Sequence, residues 1–234
     1  MSLFVPQRRP SRELLDDPST PPEEMARSLR DIDFVNRRWG GSRVIERFLS
    51  ARAGANSEEI SILDVGAGSG AFARRLAEGL SNGRRRARVV ALDLQWRHLA
   101  SGRRTASAGR AVAADAFTLP FPGGCFDWVV STLFFHHFSP EENIRLLRSL
   151  AGAARGGFAV LDLARHYLPL AFVSVAGRLL FESPVSVHDG KASVRQAYTA
   201  PEARAIASQA VPGSRVEEIF PFRFLITGPG LGRV

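Results

Sequence analysis

The chain has 234 residues, 45% of them hydrophobic, and a formal net charge of +8. That length fits one large domain or a domain with a lid, and the lone Cys125 excludes an intrachain disulfide and a thiolate metal cluster. The first residues hold no apolar run long enough for a signal peptide. The most apolar window, residues 167–181, is too short to cross a bilayer, so a cytoplasmic chain without a transmembrane segment is expected.

Residues 1–19 are polar, with Pro6, Pro10 and Pro18, and read as an arm without structure of its own. Thr20-Pro21-Pro22-Glu23 has Thr at the N-cap and Pro at the first helical position, predicting a helix to Trp39 with Met25, Leu29, Ile32 and Val35 on one face. Ser42 is placed to cap a second helix that fades by Gly54. Residues 1–55 thus read as an arm and helical cap, and 56–234 as the main domain. From Ile60 strands and helices alternate, which predicts a mostly parallel sheet. Strands are expected over 60–65, 88–94, 110–114, 125–131 and 158–163, with helices over 69–80, 95–107 and 139–154. Gly156-Gly157 reads as the turn into the fifth strand. Residues 164–198 break the rhythm and read as a lid, apolar to Phe181 and irregular from Glu182. Thr199-Ala200-Pro201-Glu202 opens a last helix, and two short strands joined through Pro221 close the chain.

The informative stretch is Ile62-Leu63-Asp64-Val65-Gly66-Ala67-Gly68-Ser69-Gly70: a buried strand, a tight glycine turn and a helix start. Glycines let a ligand approach the backbone, and the helix start presents unpaired N–H groups. The spacing also fits the dinucleotide pattern G-x-G-x-x-A, so a nicotinamide cofactor stays open at this point, whereas a P-loop is excluded because no Gly-Lys-Ser/Thr follows.

Leu63-Asp64-Val65-Gly66-Ala67-Gly68-Ser69-Gly70 resembles the first motif of class I S-adenosylmethionine (SAM) dependent methyltransferases, over about residues 60–165 plus the closing helix and strands. The resemblance implies a Rossmann-like, doubly wound, seven-stranded α/β sheet, mostly parallel with an antiparallel last strand. SAM is the expected cofactor. Asp64, Gly66, Ala67, Gly68 and Gly70 would form its loop, with Asp64 holding the loop's N–H groups or the ammonium of the methionine tail. Asp93, ending strand two, can accept both ribose hydroxyls, and Leu94 and Gln95 can pack on the adenine. Asp115 and Ala116 would meet the adenine edge and ring, Ser131 would close the set, and Arg43 could meet the cofactor carboxylate.

Strand four runs into Ser131-Thr132-Leu133-Phe134-Phe135-His136-His137-Phe138 rather than Asp/Asn-Pro-Pro-Tyr/Phe, which argues against DNA base methylation. The paired histidines resemble those of quinone- and polyketide-modifying methyltransferases. His136 and His137 are the candidate bases, histidine titrating near neutral pH, unless they serve structure. His98 reads as structural, and a His188–Asp189 pairing is disfavoured because neighbours in an extended segment point apart. Trp39, Phe134, Phe135, Phe138, Tyr167, Phe172 and Phe181 point to a hydrophobic, aromatic or polyketide-like small-molecule acceptor. No His/Asp/Glu cluster shows metal-ligand spacing in sequence. Two other readings stay open: an RNA methyltransferase using Arg84-Arg85-Arg86-Ala87-Arg88, Arg103-Arg104 and the net positive charge, and a SAM-binding protein without catalysis.

Overall fold

A computed structural model describes residues 5–52, 58–81, 86–102 and 110–232. Arg84, Arg85, Arg103 and Arg104, and the end of the helix expected to reach Ser107, lie outside the described residues.

Helix α1 (Pro22–Arg38) and helix α2 (Gly41–Ser50) precede strand β1 (Glu59–Val65), helix α3 (Ala71–Leu80), strand β2 (Arg86–Asp93), helix α4 (Trp96–Ser101) and strand β3 (Arg110–Ala113). Then come β4 (Phe126–Thr132), α5 (Pro140–Ala153), β5 (Ala154–Leu163), α6 (Tyr167–Leu180), α7 (Pro184–Gln196), α8 (Ala200–Ala210), β6 (Arg215–Ile219) and β7 (Arg223–Pro229). The seven strands lie in the order β3-β2-β1-β4-β5-β7-β6. The first five run parallel, and β7 is antiparallel to both neighbours. The doubly wound α/β sheet is therefore as expected, and its order reverses between β1 and β4, where a ligand crevice opens in such folds.

The core has two faces. Leu146, Leu147 and Leu150 of α5 pack with Ala203 and Ile206 of α8 on one side of the sheet. Ile45, Phe48 and Leu49 of α2 pack with Phe72 and Leu76 of α3 on the other. Both strand faces are covered, which is why β1, β4 and β5 read as apolar runs rather than alternating ones.

Several local expectations change. The N-terminal arm is ordered around a short 3-10 turn, Leu14–Asp16, with Leu15 buried. Arg9 N–H donates to the Arg195 carbonyl (3.0 Å), Arg8 Nε to the Gln196 carbonyl (2.7 Å), and Arg165 Nε to the Pro6 carbonyl (2.9 Å). A polar arm holds its place because its backbone and arginines find partners on α7 and at the end of β5, which composition does not reveal. Thr20 does not cap α1; its hydroxyl donates to the Leu14 carbonyl (2.5 Å). Gly40, left-handed at φ 77°, precedes α2 instead of Ser42, which lies inside the helix with its hydroxyl unpartnered. Gly156 and Gly157 sit within β5, where a Cβ on Gly157 would stand 2.5 Å from the Gly228 carbonyl oxygen. Residues 184–196 are helical, with the Ser183 hydroxyl capping the backbone of Val185. The Ser139 and Thr199 capping boxes form as expected.

Candidate active site

Under the carboxyl ends of the strands lies a cavity of about 460 Å³. Its floor is the glycine loop. Gly66 (φ 71°) and Gly68 (φ 54°) are left-handed, and a Cβ on Gly66 would stand 2.5 Å from the Phe134 ring. Only glycine lets the loop turn there and pass beneath Phe134. Asp93 fixes the loop from β2: its Oδ2 accepts from Gly68 N–H (2.8 Å) and its Oδ1 from Gln95 N–H (2.9 Å).

Of the expected cofactor residues, Gly66, Ala67, Gly68, Asp93, Leu94, Asp115 and Ala116 line this cavity, and so do His136 and His137. Three stand back from it. The Ser131 hydroxyl donates to the Val65 carbonyl (2.8 Å). Gly70 caps α3 in a left-handed turn, facing away from the cavity. Asp64 is buried beneath the loop with Oδ2 unpartnered, and burial followed by the charge of Asp93 raises its carboxyl to about 8. Holding the loop is thus the work of Asp93, and Arg43 is exposed outside the cavity lining. Asp115 Oδ1 accepts from Phe117 N–H (2.9 Å), which closes the turn that presents Ala116.

The roof comes from the arm, and composition offered no sign of it. Glu13, 6% exposed, accepts from the Ser193 hydroxyl (2.6 Å) and Gln196 Nε2 (2.8 Å). Asp189 of α7 accepts from the N–H groups of Leu14 (2.9 Å) and Leu15 (2.8 Å), which ties arm to lid. It also pairs with His188 Nδ1 (2.9 Å), because this segment is helical rather than extended. His98 Nε2 lies 3.3 Å from the Leu15 carbonyl, a structural contact.

His136 is buried between two carboxylates. Its Nδ1 meets Asp162 Oδ1 at 2.7 Å, and its Nε2 faces Glu13 Oε1 at 3.4 Å. Burial works against its charge, but Asp162 and then Glu13 raise its pKa to about 10. Burial likewise works against the Glu13 charge, yet the two histidines and Ser193 bring it down to about 2. His137 moves the other way: burial and the charge of His136 lower its pKa. At neutral pH His136 is a held cation and His137 a neutral ring at the cavity wall. Asp162 had one visible mark in sequence, an acid inside the apolar run Val160-Leu161-Asp162-Leu163.

Glu13, His136 and His137 do bring possible metal-ligand atoms within 4.8 Å of one another, against the expectation from sequence spacing. The two rings, however, stack at 4.4 Å and 28°. Both Nε2 atoms face the Glu13 carboxylate, at 3.4 Å from His136 and 3.8 Å from His137.

A second cavity, about 410 Å³, adjoins the first at Glu13, Ile32, Leu133, Leu163 and Ser193. Trp39, Leu168, Phe172, Val173, Phe181 and Phe222 give it an apolar wall. Trp39 and Phe172 meet edge to face at 5.5 Å. Of the other aromatics expected there, Phe134 and Phe138 line the first cavity, Phe135 is fully buried in the core, and Tyr167 is half exposed.

The glycine cradle and the Asp93 carboxylate at the strand end fit an adenosyl cofactor. Residues 62–157 match the family described as a methyltransferase domain. A malonyl-[acyl-carrier protein] O-methyltransferase of Geobacter sulfurreducens is 40% identical over 98 residues, 40% of this chain, and the match spans about a third (34%) of that relative's length. Among solved structures, the plantazolicin methyltransferase BpumL with a pentazolic desmethylPZN analogue and SAH superposes with a TM-score of 0.62 at 13% identity, over 89% of this chain and 96% of that one. Magnesium protoporphyrin IX methyltransferase of Synechocystis PCC 6803 with bound SAM gives 0.57 at 14% identity, over 91% and 92%. Residues 62–157 thus match a methyltransferase domain, and the fold is the one those SAM- and SAH-bound methyltransferase structures share.

Proposed function

We propose that this chain transfers a methyl group from SAM to an oxygen of a hydrophobic, aromatic or polyketide-like small molecule. The observation that carries this reading is the apolar second cavity that adjoins the cofactor cavity and shares five lining residues with it. Such a chamber suits an apolar acceptor and excludes water from the reacting atoms. SAM supplies an electrophilic methyl on a sulfonium. The chain's residues divide the remaining work. Gly66, Ala67, Gly68 and Gly70 shape the loop for the cofactor, with Asp64 and Ser131 supporting it from behind. Asp93 holds the ribose, while Leu94, Asp115 and Ala116 frame the adenine. His136, fixed as a cation by Asp162 and Glu13, keeps its proton. His137, neutral beside it, takes the proton of an acceptor hydroxyl. Residues 1–55 and the lid 164–198 act as a closing cap on the methyltransferase domain. An RNA acceptor has less support: most of its arginines lie outside the described residues, and Arg88 is ion-paired with Glu59.

Melting with SAM, S-adenosylhomocysteine (SAH), NAD or no ligand tests the cofactor. Ligand at 100 times its Kd adds about 2.7 kcal/mol, roughly 5–10 °C at this size. Labelled SAM with a panel of phenols, quinols and polyketide-like enols then tests the acceptor. A rise with both adenosyl ligands and label on an extractable product supports the reading. A rise with NAD alone, or label transfer only to RNA, overturns it.

A further inference from the structure

Arg223, the first residue of β7, is 3% exposed and lines the apolar second cavity. Burial lowers its pKa to about 10, with the charge of Asp162 acting against that. Among the described residues its guanidinium makes one hydrogen bond, a long one of 3.4 Å from Nη1 to Asn36 Oδ1. A buried arginine has five N–H donors to satisfy, so this one is under-used. The space it occupies is prepared: a Cβ on Gly41 would stand 2.8 Å from Nη1.

The cavity's other charged groups are already engaged. Asp31 accepts from the backbone N–H groups of Glu182 and Ser183 and from the Ser186 hydroxyl. Asp189 holds Leu14 and Leu15, and Glu13 holds Ser193 and Gln196. Asp162 is spent on His136 and is not within ion-pair distance of Arg223 among the described residues. A second, independent sign lies in the backbone. Leu133 (φ 55°) and Phe222 (φ 47°), both bulky and both left-handed, stand on the walls of this same cavity. Strain of this kind gathers where a ligand is clamped.

We propose that Arg223 anchors an anionic oxygen, carboxylate, enolate or phenolate, at one end of an apolar acceptor seated in the second cavity. The inference rests on reading that cavity as the acceptor site. A planar guanidinium in an apolar chamber gives two parallel N–H donors to such a group, and the chamber's low polarity strengthens the contact. Acceptors lacking the anion leave the donors unpaired, so Arg223 selects among molecules of similar shape.

The test is calorimetric titration of the full chain with 4-butylbenzoate, its methyl ester and a 4-alkyl-2-nitrophenol, each with and without saturating SAH. The wild type is expected to bind the carboxylate, the phenolate or both at least tenfold more tightly than the ester, and which anion wins identifies the head group. Arg223→Met should bring that preference below threefold while SAH affinity stays within twofold, and Arg223→Lys should keep part of it. Equal affinity for ester and anions, binding of none of the three, or a preference that survives in a folded Arg223→Met overturns the proposal. The wild-type comparison decides even if the variant does not fold. Failure to bind SAH overturns the cofactor reading instead, and the ester-to-anion ratio is read separately from it.

Discussion

Two segments hold charged groups against the cofactor cavity, and they reach it differently. The glycine loop is fixed by Asp93, 25 positions from Gly68, and by the Ala67 N–H bonded to the Leu92 carbonyl (2.9 Å) at the end of the neighbouring strand. The arm around Glu13 is fixed by Asp189, Ser193 and Gln196, 174 to 183 positions away. The loop needs only two parallel strands in register. The arm around Glu13 needs α7 in place first. A floor of local contacts and a roof of distant ones should therefore fail separately.

The largest expected effect is on the floor. Asp93→Ala removes the acceptor for Gly68 N–H and the proposed partner of the ribose hydroxyls, two charge-assisted bonds together worth about 3 kcal/mol. SAH affinity should fall about 100-fold by titration, while binding of an apolar acceptor analogue changes little. Parallel losses of both would mean that floor and roof are one cooperative unit.

Glu13→Gln breaks the roof. His136 keeps Asp162, so the cost is less than that of a wholly uncompensated buried charge, about 2 kcal/mol or roughly 4–8 °C in Tm. The pH dependence supplies the sign. Glu13, lowered to about 2 from 4.5, stabilises the fold above pH 4.5, and that contribution is lost as pH falls toward 2. His136, raised to about 10 from 6.5, stabilises it below pH 6.5, and that is lost as pH rises toward 10. Both contributions are complete between pH 4.5 and 6.5. The difference in Tm between wild type and Glu13→Gln should be greatest there and shrink on either side, most steeply on the acid side.

The smallest effect lies where the two regions touch. Gln95 Nε2 donates to Asp16 Oδ1 (2.9 Å), joining the end of β2 to the arm. Gln95→Ala should cost about 1 kcal/mol, roughly 2–4 °C in melting, with SAH affinity changed less than threefold. A larger loss of affinity would show that the arm positions the cofactor rather than only covering it.

The same contrast explains what could be read in advance. The glycine loop, Asp93 and Asp115 were legible because strand, turn and helix N-terminus leave their chemistry in adjacent letters. The capping boxes at Ser139 and Thr199 were legible for the same reason. Glu13 was not, because an acid in a polar, proline-bearing arm looks like any solvated acid until α7 and the 3-10 turn at His136 surround it. Asp162 and Arg223 stood between. Each is a charge inside an apolar strand, a signal that something buried must answer it, but only the fold names His136 as the answer to one and leaves the other with a single long bond to Asn36.

The arm has a consequence for how the molecule comes into being. Its bonds close loops of 159 to 188 residues, from Pro6 to Arg165 and from Arg8 to Gln196. Closing so long a loop adds little to the equilibrium cost, since that cost grows only logarithmically with length, but contacts this far apart form late. A chain leaving the ribosome can complete the first two strands and the glycine turn long before α7 has been made. Until then Glu13, Leu14 and Leu15 wait without their α7 partners, and the chamber stands open on one side. The roof over the cavity thus closes only after α7 has been made, long after the floor.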